Sequence, residues 1–203
     1  MRQIVALQRS SGISCSSYGT YFRLGQTPLQ ELPRAIEAAN RQGTGILRLW
    51  CGDKCGAEMS AEERARLLDE CYQAAELAEQ SGVTLCMECH AKTWTEDAHW
   101  LMRTVNSPAF RMYWQPSQWR TTEENCASAA LLAADTVHLH VFHWQGRQRL
   151  PLRQGIEAWR EYLRYFPAPR TLLLEFMPHD TPEELPAEAE ALRSLTKSVR
   201  DGQ

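Results

Sequence analysis

Val83-Thr84-Leu85-Cys86-Met87-Glu88-Cys89-His90 is a run of strand-forming, mostly apolar residues that ends on a carboxylate and an imidazole just before Lys92-Thr93. Alternate side chains of a strand point to opposite faces. Cys86, Glu88 and His90 therefore share one face, and Leu85, Met87 and Cys89 share the other. A carboxylate is rarely buried without a partner, so Glu88 requires a cation, a metal or a hydrogen-bond donor. A structural ion pair meets that need, and so does a functional site. The same pattern, a short apolar strand closed by one polar residue, returns along the chain, and that repetition favours a site.

Working outward from this strand, strand and helix signals alternate. On the N-terminal side, residues 1–9 read as the tail of a helix broken by Gly12, and residues 13–18 as a first strand. Leu29, Leu32, Ile36 and Ala39 recur at helical spacing within 28–42, and Gly43 and Gly45 bracket the exit into a strand at 46–50. Ser60-Ala61-Glu62-Glu63 is a capping box that opens a helix to Gln80. On the C-terminal side, Thr95 is expected to cap a helix to Val105, and residues 110–115 form a strand stopped by Pro116. Thr121-Thr122-Glu123-Glu124 caps a helix to Ala134. A strand at 137–142, a helix at 156–166, a strand at 172–176 and a helix from about Pro186 complete the order.

Six strands, each followed by a helix, predict an α/β fold with a parallel sheet and right-handed crossovers. No G-x-G-x-x-G phosphate turn is present, which counts against an open dinucleotide-binding sheet. Trp50, Glu88, Gln115, His140 and Glu175 instead stand at the C-terminal ends of strands. That is the edge on which barrel enzymes assemble their active sites. The expectation is a (β/α) TIM-type barrel over residues 1–203 as one domain, incomplete, with about six parallel strands and six outer helices. A closed barrel of this type has eight strands. Two missing strands leave exposed edges, so self-association that covers the open side is expected.

Composition excludes several classes. A net charge of -3 counts against a nucleic-acid partner. No apolar run approaches a membrane span, and the N-terminus lacks the apolar core of a signal peptide. Seven cysteines, an odd number without the spacing of a small secreted domain, fit a reducing cytoplasm. Cys86 and Cys89 fall on opposite faces of their strand, so they neither chelate together nor exchange a disulfide. Cys51 and Cys55 supply only half of a structural zinc site.

The segments Leu47-Arg48-Leu49-Trp50-Cys51-Gly52, Leu85-Cys86-Met87-Glu88-Cys89-His90, Tyr113-Trp114-Gln115-Pro116, His138-Leu139-His140-Val141 and Leu173-Leu174-Glu175-Phe176 together resemble the xylose isomerase-like barrels. More narrowly, they are similar to the sugar phosphate isomerase/epimerase branch, which shares its fold with apurinic-site endonucleases. The resemblance covers about Gly12 to Leu195 and implies a metal held by a Glu, an Asp, a His and a second Glu. Those positions fall on Glu88, Gln115, His140 and Glu175, with Gln115 departing from the usual Asp. The family pattern also begins with one more strand, helix and strand than this chain shows.

Two carboxylates, an imidazole and an amide oxygen suit Mn²⁺, Mg²⁺, Co²⁺ or Zn²⁺ without discriminating among them. The loss of one negative charge at Gln115 weakens that set. Such an ion polarises a carbonyl and stabilises an enediolate, while Glu88 and Glu175 are the candidate acid and base. A buried ion pair with Arg48 is the structural alternative for Glu175. His90, Gln118, Arg48, Trp50 and Trp114 are candidate contacts for a small carbohydrate. Arg147 or Arg149, in the loop after the fifth strand, is a candidate for an anionic substrate group. Three functions follow: a metal-dependent isomerase or epimerase of a sugar, sugar phosphate or sugar acid; a truncated, non-catalytic barrel serving interaction; and an apurinic-site endonuclease. The third needs more histidine and aspartate ligands and a basic face.

Overall fold

Helices and strands alternate because apolar side chains recur at helical spacing in some segments and at every second residue in others. The computed structural model describes residues 2–166 and 170–201. It is an α/β fold with six parallel strands, and the chain divides into two compact units, Met1–Tyr113 and Trp114–Gln203.

The first unit runs α1 (Arg2–Ser10), β1 (Tyr18–Leu24), α2 (Leu32–Gln42), β2 (Ile46–Cys51), α3 (Ala61–Gln80), β3 (Thr84–Glu88), α4 (Ala98–Val105) and β4 (Phe110–Trp114). Each strand pairs in parallel with the next, and Arg48, Cys86 and Arg111 lie in register. Leu47 and Leu49 of β2, Leu85 and Met87 of β3, and Met112 of β4 are all fully buried on one face. Leu32, Ile36 and Ala39 of α2 and Leu67, Cys71, Ala74 and Ala78 of α3 supply the helical side of this core. The opposite face carries Arg48, Trp50, Cys86, Glu88, Arg111 and Tyr113.

The capping box expected at Ser60 is formed, with the Glu63 N–H donating to Ser60 Oγ at 3.2 Å and the Ser60 N–H to Glu63 Oε2 at 2.8 Å. Helix α2 stops at Gly43, whose φ of 77° suits a left-handed C-cap that a side chain would strain. Two sequence expectations shift. The first strand lies at Tyr18–Leu24, not at 13–18, because Phe22 and Leu24 provide the buried alternation that Ile13, 61% exposed, does not. Thr93, not Thr95, caps the turn before α4, accepting from the Thr95 N–H at 3.2 Å, and a 3₁₀ turn at Trp94–Asp97 precedes the helix.

The second unit runs α5 (Thr122–Leu132), β5 (Thr136–Val141), an antiparallel hairpin of β6 (His143–Gln145) and β7 (Gln148–Leu150), α6 (Ile156–Leu163), β8 (Thr171–Leu174) and α7 (Leu185–Asp201). Strands β5 and β8 pair in parallel. The hairpin replaces an expected loop. Strand β8 ends one residue before Glu175, although the Glu175 N–H still donates to Val141 O at 3.1 Å. The expected helix at 156–166 ends at Leu163, and residues 167–169 lie outside the described residues.

An aromatic core holds this unit. Trp114 packs against Trp159, Tyr162 and Phe166 at centroid distances of 5.4–6.0 Å. Both indole N–H groups are used, Trp159 donating to Phe142 O at 2.7 Å and Trp114 to Ser128 Oγ at 3.2 Å. Buried Glu188 of α7 accepts the Leu152 N–H at 2.8 Å, which docks the last helix. No helix among the described residues is long and apolar enough to cross a membrane.

Truncating the aromatic core costs more than removing a helix cap. Trp159→Ala is expected to lower unfolding stability by about 3–5 kcal/mol and Ser60→Ala by about 1 kcal/mol. Urea denaturation followed by fluorescence and circular dichroism measures both, and equal losses would remove the special role assigned to the aromatic core.

Candidate active site

Glu88 ends β3 with its side chain 5% exposed, so its charge must be answered inside the protein. Trp50, at the end of β2, donates its indole N–H to Glu88 Oε2 at 2.7 Å. Arg48, one pleat deeper on the same strand, brings Nη1 to 3.2 Å from that oxygen and also donates to Thr20 O at 2.9 Å. The alternation of β2 makes both contacts possible, because residues two apart share a face. Gly19 is the space for this guanidinium: a Cβ there would lie 3.2 Å from Arg48 Nη2. The ion pair offered for Glu175 from sequence is thus formed by Arg48 with Glu88.

Trp50 is also the centre of a ring cluster. His90 is exposed, with its ring 5.4 Å from the Trp50 centroid, its N–H donating to Thr95 Oγ1 and its Nδ1 at 2.8 Å from Ala91 O. Tyr21 meets Trp50 edge-on at 5.6 Å, and the Arg23 guanidinium lies over the indole at 4.7 Å. Tyr21 and Arg23 were not among the sequence candidates because β1 was expected five residues earlier. The alternation Tyr21-Phe22-Arg23-Leu24 was the available signal. Cys86 shares the polar face, but burial pushes its thiol well above the usual range, so it stays protonated and is a poor nucleophile or ligand.

In the second unit three candidates meet. His140, buried on β5, places Nδ1 2.8 Å from Gln115 Oε1 and 3.2 Å from Glu175 Oε1. A protonated Nδ1 donates to both oxygens, which brings an amide, an imidazole and a carboxylate together at the ends of neighbouring chain segments. Parallel register puts His140 opposite Leu173, so Glu175, two residues on, follows the same face. His138, one pleat deeper, is buried with Nδ1 3.0 Å from Val137 O, the expected core histidine.

The remaining candidates separate. Gln118 lines a cleft with His143, Trp144 and Tyr162, and burial there lowers the His143 pKa. Trp114 is fully buried in the aromatic core, so its ring faces helix α6 and has no open face for a carbohydrate. Arg147 is exposed in the hairpin turn. Arg149 is engaged structurally: it pairs with Asp180 and stacks over Phe176 at 4.7 Å and Trp144 at 5.4 Å. It thereby ties the hairpin to the loop that follows Glu175.

The donor types fit a divalent ion. Carboxylate, amide and imidazole groups form the mixed oxygen and nitrogen set that Mn²⁺, Mg²⁺, Co²⁺ and Zn²⁺ accept. Gln115 Oε1 and Glu175 Oε1 already lie within hydrogen-bond or ion-pair reach of His140 Nδ1.

The family model described as xylose isomerase-like TIM barrel matches residues 1–195. A comparison with curated proteins finds no match. Among solved structures, the probable 3-DHS dehydratase AsbF from Bacillus anthracis is similar with a TM-score of 0.80 and 17% identity, over 94% of this chain and 80% of that one. A xylose isomerase-like TIM barrel protein from Mycobacterium smegmatis in complex with magnesium gives 0.69 and 14%, over 95% and 76%. The 3-keto-D-glucoside 4-epimerase from E. coli gives 0.70 and 13%, over 97% and 84%. At these identities the likeness is one of fold.

The Arg48–Glu88 contact makes an asymmetric prediction. Arg48→Met removes a cation from a carboxylate that is 5% exposed and is expected to cost on the order of 3 kcal/mol. Glu88→Gln keeps an acceptor for the Trp50 N–H and leaves a guanidinium that water reaches, so its cost is smaller. Chemical denaturation of the two variants tests the order, and a reversal would show that Arg48 is not what stabilises the Glu88 charge.

Proposed function

The chain belongs to the xylose isomerase-like TIM barrel family, and on that premise we propose that it is a divalent-metal-dependent isomerase or epimerase of a small carbohydrate, working through an enediolate. The observation that carries this reading is the meeting of Gln115 Oε1 and Glu175 Oε1 on His140 Nδ1. Within the second unit His140 and Glu175 each offer a ligand atom, and Gln115 adds a neutral amide oxygen beside them. A bound divalent ion would supply polarisation of the substrate carbonyl and stabilisation of negative charge on its oxygen. Further support comes from relatives of the same fold, one described as a sugar epimerase and one as a magnesium complex.

In this reading the chain's own residues move the proton. Glu175, as a carboxylate, takes it from the carbon next to the carbonyl and, now protonated, gives it back to the neighbouring carbon; Glu88, held as a carboxylate, is the second candidate base. Trp50 and Arg48 hold the Glu88 carboxylate in one orientation, since both donate to its Oε2. His140 orients Glu175 through Nδ1. His90, exposed beside Trp50, offers its ring to a substrate hydroxyl. The seven cysteines, all free thiols, suit a reducing cytoplasm as the proposed compartment.

Two measurements test this. Titration calorimetry with Mn²⁺ is expected to show one ion per chain, with affinity reduced at least about tenfold in His140→Ala. Deuterium wash-in from D₂O into a panel of ketoses is expected in the wild type and absent in Glu175→Gln, which retains some carbohydrate binding. Exchange at the wild-type rate in that variant would remove Glu175 from the chemistry, and no Mn²⁺ binding would remove the metal.

A further inference from the structure

Strand β1 brings to the Glu88 face two side chains that the proton transfer does not use, Tyr21 and Arg23. Arg23 is in register with Trp50, lies 4.7 Å from its ring centroid and donates one Nη1 bond to Gly52 O at 2.7 Å. Arg48 approaches the same ring at 5.3 Å. Two guanidinium groups therefore share one indole, and Glu88 is ion-paired with Arg48. Among the described residues Arg23 forms no ion pair. A guanidinium does not lose its proton in a protein, so Arg23 sets a positive charge beside Trp50 that no ion pair among the described residues answers. An anion placed between the two cations offsets their repulsion.

The neighbouring surface fits the rest of such a ligand. Tyr21 is 85% exposed and meets Trp50 in a T-shaped contact with ring centroids 5.6 Å apart, and the exposed His90 ring lies 5.4 Å from the Trp50 centroid. Two exposed rings, Tyr21 and His90, thus stand beside the guanidinium groups and Trp50, within reach of a ligand from solvent.

We infer that Arg23, supported by Arg48, recognises a carboxylate on the substrate, which makes the substrate a small polyhydroxy acid. This inference rests on the reading of the site as a carbohydrate site and narrows it. A planar carboxylate matches the fork of one guanidinium through two parallel hydrogen bonds and carries the single charge that the cluster leaves unmatched. A phosphate dianion carries more charge than that excess. Tyr21, Trp50 and His90 line the carbon chain beside the carboxylate.

The test uses three ligands that differ at one carbon: D-glucuronate, D-glucose and D-glucose 6-phosphate. Each is titrated calorimetrically into the metal-free full chain as wild type, Arg23→Met and Arg23→Lys, and Mn²⁺ is titrated separately. D-glucuronate is expected to bind the wild type best. Arg23→Met should weaken it about tenfold or more, and Arg23→Lys by less, while D-glucose and Mn²⁺ affinities stay unchanged. Equal D-glucuronate affinity in wild type and Arg23→Met overturns the inference. So does a parallel loss of D-glucose, which would mark Arg23 as structural, and so does tighter, Arg23-dependent binding of D-glucose 6-phosphate. Arg23-dependent D-glucuronate binding without Mn²⁺ binding supports the carboxylate subsite and rejects the metal reading separately.

Discussion

The contact on which the first unit's polar face depends is the hold that Trp50 and Arg48 place on one oxygen of Glu88. Burying a carboxylate is unfavourable unless donors replace its water, and an indole N–H at 2.7 Å with a guanidinium at 3.2 Å does so. The hold needs β2 and β3 in their observed parallel register, since Arg48 lies opposite Cys86 and Trp50 continues toward the level of Glu88. It also needs β1 to pass closely, since Thr20 O takes a second bond from Arg48 and Gly19 gives it room. Three strands are therefore committed to one charge. An ion pair of this kind contributes little to net stability, whereas removing one partner is costly because it leaves the other buried and unpaired.

The second unit solves a different problem. Its polar residues converge on an imidazole, and an aromatic core behind them fixes the strand ends. Trp114 and Gln115 are consecutive and point opposite ways, so packing Trp114 among Trp159, Tyr162 and Phe166 turns Gln115 toward His140. Trp114, fully buried and closed to substrate, is thereby the anchor that aims the amide.

Much of this was legible in the sequence because two periodicities were. Capping boxes at Ser60 and Thr121, apolar runs ending on Glu88 and His140, and the strict alternation of elements led to the α/β fold and its six parallel strands. What was not legible had local causes. Strand β1 contains Gly19 and Thr20 and exposes Tyr21, so its apolar alternation is confined to Phe22 and Leu24 and was passed over for an earlier segment. Arg23 lies between those two buried residues. The β6–β7 hairpin turns at Gly146 between very short strands of polar residues, a pattern that reads as a loop. Sequence places both Glu88 and Glu175 at strand ends and leaves to register the choice of a partner for Arg48, which is Glu88.

The Arg149 tie gives the second unit an uneven modularity. Loops at the C-terminal ends of barrel strands are the segments in which one scaffold accumulates different specificities. Here the hairpin after β5 and the loop after β8 are fastened to each other by Arg149, through Asp180 and the Phe176 and Trp144 rings. Exchange of either segment alone would strand a charge or strip a ring of its cation. The two are heritable as a pair, and a designer who grafts new recognition onto this scaffold must carry both across together or replace both.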